Sequence, residues 1–439
     1  MLGSALVLAL GSSCRPASPP PERLHYLIYT DLDPAAQALR ATATISLAPP
    51  FSGITSAEFL LHRQLGITAL VGPEVAGYQI DTLTPSSIPW IPNAARITVS
   101  FERPLDEDQR TEFSVEYGGV LDTWSQWSAN VIGEDWTELG LYFPWFPYFG
   151  EEYGPFTYEV VAEVPDRFVV QGLGEAERID GSWRLHATEP VRDIVLVSAE
   201  GIRTRQVEAN GFQVQLHYAE LEEPEAERLG EEVVRVLQTY AEWFGPPEAQ
   251  QFTLVESRRE VGGGYAREGL VVLSRLNALM STEAYPDLLR YLAHEVAHLW
   301  WHAAPTNTWE DWLNESFAEY SALLLLKTRF GEAEFRGRID AKQIAAQGVP
   351  AIWGFDRSDT STEEKSRQVT NILYSAGPVT LNELAERISH QSFIEWCRRV
   401  AEQNVASTSQ ALEMLRESEG FEAADWLEER LHEPAAIQD

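Results

Sequence analysis

His294, Glu295 and His298 stand in the order H-E-x-x-H. On a helix, residues four apart lie on one face, one turn above each other, so His294 and His298 can present both imidazoles to a single ion. Glu295 follows the first of them directly, where a carboxylate reaches a water bound to that ion. Two neutral nitrogen ligands with a carboxylate beside an open position are what zinc-activated hydrolysis requires. A third protein ligand is wanted, and Glu315, separated from His298 by sixteen residues, is the candidate. Glu319, one turn further on the same face, is placed either to accept the free ring N–H of a ligand histidine or to sit as a solvated helix charge. His302 is four residues beyond His298 and eight beyond His294, about 12 Å along a straight helix. Zinc bonds are about 2 Å long, so one ion cannot hold all three imidazoles, and His302 is read as structural or as part of the rim.

The elements that must position these groups are legible in the apolar spacing. Leu288, Leu289, Leu292, Val296 and Leu299 recur at three- and four-residue intervals, which predicts an amphipathic helix. Pro286 and Asp287 suit its first turn, where a missing N–H is harmless and a negative charge meets the positive end of the helix dipole. A turn is expected at Ala304-Pro305-Thr306-Asn307, followed by a second, antiparallel helix that carries Glu315 near its start and runs through Leu323–Leu326.

His294-Glu295-x-x-His298 followed by Trp312-Leu313-Asn314-Glu315 resembles the gluzincin zinc peptidases of the alanyl aminopeptidase and leukotriene hydrolase family, which read H-E-x-x-H and then W-L-N-E-G-F-A. Ser316 replaces the glycine of that pattern, and the gap between the two motifs is two residues shorter than usual. The resemblance implies a thermolysin-like catalytic domain, one Zn2+ per chain held by His294, His298 and Glu315, a peptide substrate, and Glu295 as the base. It further implies that Tyr374, in Leu373-Tyr374-Ser375-Ala376-Gly377, hydrogen-bonds the oxyanion of the tetrahedral intermediate, a task a phenol O–H suits. The family's G-A-M-E-N stretch aligns with Gly263-Gly264-Tyr265-Ala266-Arg267, read as an edge strand that binds substrate backbone. The glutamate that would hold a free amino terminus is Ala266 here. Glu268 or another acid then stands in for it, or the enzyme cuts internal bonds, or Arg267 reads a substrate carboxylate unless a neighbouring acid pairs it. Other hydrolytic chemistry on the same zinc site, and an inactive zinc-stabilised peptide-binding module, are the alternatives from other classes.

The remainder of the chain reads as α+β. From about Leu24 to Arg205, alternating segments such as Arg40–Leu47, Ala95–Phe101, Phe113–Tyr117, Tyr158–Val164 and Asp193–Ser198 predict an all-β sandwich over residues 23–205. The aromatic run Tyr142–Tyr148 is expected to pack in the core or at the domain contact. Residues 206–439 form the catalytic domain, with strands at Phe212–Tyr218, Gln251–Val255 and Gly269–Leu273, a helix over Glu223–Trp243, and helices over Ser392–Val405 and Ser409–Leu431. Ala341–Val369 is the least regular segment, a lid or rim, and the large helical C-terminal domain of many relatives has no room. Residues 1–22 read as a leader and Pro-rich spacer. An apolar run ending in Gly11-Ser12-Ser13-Cys14 resembles a bacterial lipoprotein signal, which implies an extracytoplasmic protein anchored by lipid on Cys14, or else secreted. Cys397 is the second of two cysteines.

The chain carries 67 acidic residues against 33 basic ones, a formal net charge of −34, which argues against nucleic acid as a partner. Only Lys327, Lys342 and Lys365 are lysines. An acidic, lysine-poor surface repels itself until salt screens it. The melting temperature is therefore expected to rise as salt is taken from about 0.1 M into the molar range; a scanning-fluorimetry series measures this, and a flat or falling curve removes the reading.

Overall fold

The structure, a computed structural model, describes residues 23–84, 88, 91, 93–107, 109–121, 131–247, 250–259, 263–280, 283–359 and 362–435. The leader, with Cys14, lies outside the described residues. Among the described residues no helix is long and apolar enough to cross a membrane.

Leu24, Tyr26 and Ile28 are buried while His25, Leu27 and Tyr29 between them are partly or largely exposed, the period of two that a half-buried strand requires. Their strand, Leu24–Asp33, lies at the centre of a seven-stranded sheet. It runs antiparallel to Ala38–Leu47, with Tyr26 opposite Ile45, and parallel to Phe156–Glu163, with Tyr26 opposite Tyr158. A three-stranded sheet contributes Phe59 and Ile97, and a four-stranded sheet contributes Trp136, Leu139 and Leu196, to the same apolar core. Trp145 and Phe146 of the aromatic run are fully buried there, each worth about 2–3 kcal/mol of burial. The indole of Trp145 donates to Ile194 O at 2.9 Å, so its one polar group is satisfied. Tyr142, by contrast, is only partly buried and reaches the cleft described below.

The strand Arg203–Ala209 pairs with Phe212–Tyr218, Val207 opposite Val214, at the edge of a five-stranded sheet of the second domain. The domain boundary expected after Arg205 therefore falls earlier, near Gly201. Alternation marks a strand without saying which sheet will pair with it. Gln251–Ser257, Leu270–Ser274 and Gly264–Arg267 complete that sheet, with Gly264–Arg267 at its free edge. The helix Glu223–Phe244 covers one face through Leu229, Val233, Leu237 and Tyr240. It begins in a capping box formed by Glu222 and Glu225 and ends at Gly245 in the left-handed region, φ 92°.

Helices make up the rest. Tyr285–Ala297 buries Leu288, Leu289, Leu292 and Val296. Trp312–Phe330 is apolar around most of its circumference, as a helix enclosed on all sides must be. Two expectations need correction. Among the described residues of the 341–369 segment only 347–359 and 362 are irregular, because the helices Glu332–Ala346 and Glu363–Asn371 close in from both ends. The single helix expected over Ser409–Leu431 is broken at Gly420, φ 88°, into Thr408–Glu419 and Phe421–His432.

The domains share a joint that is apolar at its centre and ionic at its margins. Val255, Tyr265, Leu270 and Val272 of the five-stranded sheet belong to the core of the first domain. Glu138, fully buried, accepts hydrogen bonds from Trp136 Nε1 at 3.1 Å, Ser257 Oγ at 2.6 Å and Tyr265 Oη at 3.3 Å. Asp193, equally buried, accepts from Arg267 Nε at 2.6 Å and from Leu141 N at 3.2 Å. Buried carboxylates persist only where paired in this way, so the two domains are held in a defined orientation on either side of a cleft.

Candidate metal centre and active site

The second half of the Tyr285–Ala297 helix and the first turns of Trp312–Phe330 face each other, and the antiparallel arrangement brings His294 and His298 against Glu315 and Glu319. His294 Nε2 lies 3.4 Å from Glu315 Oε2, and His298 Nε2 lies 3.8 Å from the same oxygen. The candidate ligand atoms of the three residues fall within 4.8 Å of one another. Glu315 Oε2 is buried and accepts no hydrogen bond among the described residues. A buried carboxylate oxygen left unbonded while two imidazole nitrogens turn toward it fits a divalent cation bound by all three. His302 is not part of this set. It is exposed in the cleft, and its Nδ1 lies 3.1 Å from His298 O.

Each imidazole is oriented from behind. His298 Nδ1 donates to Trp301 O at 2.9 Å. His294 Nδ1 lies 3.1 Å from Glu319 Oε2. Glu319 is fully buried and not a solvated helix charge. Arg290 Nη1 donates to both of its oxygens at 2.8 and 3.0 Å, and Lys342 Nζ lies 2.6 Å from Oε1. Burial opposes charge on Glu319, but His294, Lys342 and Arg290 outweigh it and hold the carboxyl well below the usual range. Burial likewise opposes charge on His294; its contacts with Glu315 and Glu319 and the nearby Glu295 charge push the imidazole up to about 10. A site this strongly negative accepts a cation, and a dication satisfies the same groups that a proton would.

The loop joining the helices is stapled by Asn314, the asparagine beside the third ligand. Its Nδ2 donates to Ala304 O at 2.9 Å and Asp311 Oδ1 at 3.0 Å, while its Oδ1 accepts from Ala304 N at 3.2 Å. The shortened loop thus keeps both helix ends in register. Trp312, fully buried, anchors the second helix by donating from Nε1 to Thr408 Oγ1 at 2.7 Å.

Glu295 sits beside this centre, nearly buried, and burial raises its carboxyl although the two histidines oppose the shift. The edge strand passes directly against it. A Cβ added at Gly264 would stand 2.6 Å from Val272 O and 3.3 Å from Glu295 Cγ, so a glycine is required where backbone and base approach this closely. Gly263 is half-buried, its carbonyl accepting from Ser274 Oγ at 2.7 Å. Tyr265 and Arg267 differ from expectation as substrate contacts. The Tyr265 ring is buried in the domain joint with its hydroxyl on Glu138, because alternate residues of a strand point to opposite faces. Arg267 is engaged by Asp193 and by its own Ala266 O at 2.7 Å, with its guanidinium over the rings of Tyr142 and Tyr265.

Tyr374 lies on one wide π-helical turn, Ile372–Ala376, inside an otherwise α-helical run from Glu363 to Ile388, a distortion that recurs at functional positions. The turn rests on the Glu315 helix. Ser316 Oγ donates to Leu373 O at 2.7 Å, and a Cβ at Gly377 would collide with Ser316. The serine found in place of glycine is accommodated by the glycine opposite. The Tyr374 ring centroid is 5.6 Å from that of His294, and burial, with the neighbouring Glu315 charge, holds its hydroxyl protonated. Lys342 Nζ also donates to Tyr374 O at 2.6 Å.

Lys342, Arg290, Asp311 and Arg357 escaped the sequence reading. Arg290 had a signal, since it lies four residues before His294 on the same helical face. Lys342 had a weaker one, as one of three lysines in an arginine-dominated chain. One ammonium thus steadies both the carboxylate behind His294 and the backbone of Tyr374. Lys342→Met is expected to weaken zinc retention and lower turnover, each by about tenfold or more, measured by chelator titration and by steady-state kinetics of the metal-loaded protein.

His294, Glu295, His298, Asp311, Glu315, Arg357 and Tyr374 line one interdomain cleft of about 1390 Å³. Residues 261–426 match the peptidase family M1 domain. Over 141 residues, 30% of this chain, the sequence is 28% identical to a membrane alanyl aminopeptidase of Manduca sexta, and the match spans 14% of that longer relative. The fold is that of an M1 zinc metallopeptidase from Deinococcus radiodurans solved with a Tyr-Ser-Ala substrate, with a TM-score of 0.67 and 17% identity over 95% of this chain and 96% of that one. A two-domain M1 zinc metallopeptidase solved with bound L-tryptophan gives the same TM-score, identity and coverage. The family match covers the H-E-x-x-H helix, Glu315 and Tyr374, and the fold likeness extends over both domains: residues 261–426 carry a peptidase family M1 domain, set in a two-domain fold like that of the solved M1 metallopeptidase.

Proposed function

We propose that the protein hydrolyses peptide bonds with one zinc ion per chain, and that it does so without gripping a free amino terminus. The observation that carries this reading is the convergence of His294 Nε2, His298 Nε2 and Glu315 Oε2 beside the buried carboxylate of Glu295. Bound there, zinc supplies Lewis acidity that activates water and polarises the scissile carbonyl. Glu295 accepts the proton of the attacking water and delivers it to the leaving amine. Its raised pKa suits a group that must both take and return a proton. Tyr374, kept protonated by burial, donates to the developing oxyanion. The backbone of Gly264–Arg267, a free sheet edge running past Glu295, offers hydrogen bonds to an extended peptide.

The absent amine anchor supports the second half of the reading. Ala266 offers no charge, and the nearest replacement on the strand is the cation of Arg267, which Glu295 feels. Glu268, in the turn after the strand, lines the same cleft with Oε1 engaged by Arg192 at 3.1 Å and Oε2 buried without a hydrogen-bond partner among the described residues. The strand Gly264–Arg267 itself carries no acid for a substrate ammonium. The Deinococcus neighbour's Tyr-Ser-Ala makes tripeptides a reasonable first probe. The lipoprotein-like run before Cys14 supports an extracytoplasmic, lipid-anchored location.

Glu295→Gln is expected to retain zinc, measured by metal analysis, and to lose turnover by several orders of magnitude; full activity in that variant overturns the role given to Glu295. A peptide library digested with and without N-terminal acetylation, read by mass spectrometry, is expected to show blocked peptides cut as well as free ones. Blocked peptides left intact would restore an aminopeptidase whose anchor lies elsewhere.

A further inference from the structure

Asp311 and Arg357 form a charged pair at the mouth of the catalytic centre that the hydrolytic chemistry above does not use. Asp311 is buried, four residues before Glu315, at the start of the same helix. Arg357 reaches it from the irregular stretch 347–359 and donates from Nε to Asp311 Oδ2 at 2.9 Å. Asp311 Oδ1 is taken by Asn314. Among the described residues the two Nη groups of Arg357 donate no hydrogen bond, although the side chain is only 19% exposed. Both residues line the cleft together with His294, Glu315 and Tyr374. Asp311, which holds the guanidinium, stands one helical turn before Glu315, about 6 Å along the axis.

A guanidinium fixed along one edge and open along the other is a fork, pre-oriented for a planar anion. Its flexibility has already been lost to Asp311, so a ligand would not bear that entropy. In a chain of net charge −34, a free carboxylate is drawn into the cleft only where a local cation receives it. An extended peptide advances about 3.3–3.6 Å per residue, so a guanidinium held one helical turn from Glu315 is reached one or two residues from the scissile bond. Arg267, the other cation near the centre, is already engaged by Asp193, Tyr142 and its own backbone.

We propose that Arg357 binds the free α-carboxylate of short peptide substrates, so that the enzyme selects its substrates by their carboxyl end. This rests on the peptidase reading above and deepens it: the missing amine anchor is replaced by an anchor for the opposite terminus. Asp311 acts as a positioning residue, holding the guanidinium by its Nε edge.

The test uses zinc-loaded protein and tripeptides, Tyr-Ser-Ala among them, each as the free acid and as the C-terminal amide. The wild type is expected to favour the free acid in kcat/KM by about tenfold or more, chiefly through KM. Arg357→Gln is expected to bring that ratio to near one. Arg357→Lys, which keeps a charge for Asp311 but lacks the fork, is expected to lower it as well, and covers the case in which the glutamine variant does not fold. Calorimetry on zinc-loaded Glu295→Gln is expected to show the same preference in binding, lost when Arg357→Lys is added. Equal treatment of acid and amide by the wild type, or a preference that survives both Arg357 variants, overturns the proposal and leaves peptidase activity standing. If neither peptide is cut, the peptidase reading falls, and the calorimetric comparison still decides whether Arg357 binds a carboxylate.

Discussion

A cluster of buried carboxylates is the constraint around which the catalytic domain is built. Glu295, Asp311, Glu315 and Glu319 come from two neighbouring helices and the turn between them, and all four are wholly or largely withdrawn from solvent. An uncompensated buried charge costs several kcal/mol, so the fold must supply cations, one from the first helix itself and the others from outside the pair. It does so by position. Arg290 and Lys342 close on Glu319, Arg357 closes on Asp311, and Arg267 lies near Glu295. Glu315 Oε2 alone among the acids' inner oxygens faces two imidazole nitrogens and no hydrogen-bond donor in bonding geometry. The arrangement leaves one oxygen of one acid for the metal and neutralises the others.

That distinction separates what was legible in the sequence from what was not. His294, His298 and Glu315 were legible because helical periodicity fixes which side chains share a face, and the apolar spacing of Leu288–Val296 fixed the face. Glu319 was ambiguous because the same periodicity places a buried partner and a solvated charge equally well. Its neighbour Lys342 decides the matter, and Lys342 comes from another helix. The role of Arg267 was unreadable for the same reason. Its partner, Asp193, lies 74 residues away in the other domain, and pairing across domains leaves no local pattern. Tyr265 shows a further limit: strand alternation gives two faces, but the sequence of a single strand does not say which face meets the core. The domain boundary and the break at Gly420 failed through local ambiguity. A lone strand has no visible sheet, and glycine in a helical pattern is tolerated as often as it terminates.

The domain joint does more than fasten two units. The edge strand Gly264–Arg267 carries Tyr265 into the core of the first domain and Arg267 onto Asp193, while Gly264 between the joint and Glu295 is pressed against the base. The first domain therefore sets the distance between substrate backbone and general base. Leaving either member of the Asp193–Arg267 pair alone would cost about 3–5 kcal/mol, so the strand has little freedom to drift from Glu295.

Arg267 also bears on which charges the cleft leaves open. An acid at position 266 would need an unpaired ammonium to balance it; Ala266 needs none. Arg267 brings a charge that must itself be neutralised, and Asp193 and Tyr142 do so at the domain joint. The amino-terminal side of the centre is thereby left without an unpaired charge on its strand. On the other side, the Nη edge of Arg357 stays open because Asp311 occupies its Nε. That edge is a cationic donor set one helical turn from Glu315, and its local field, not the general acidity of the surface, is what a peptide carboxylate meets there. Salt that screens the surface acts far less on a guanidinium and a carboxylate enclosed together, so recognition at this position and the stability of the acidic exterior are separable properties of the same chain.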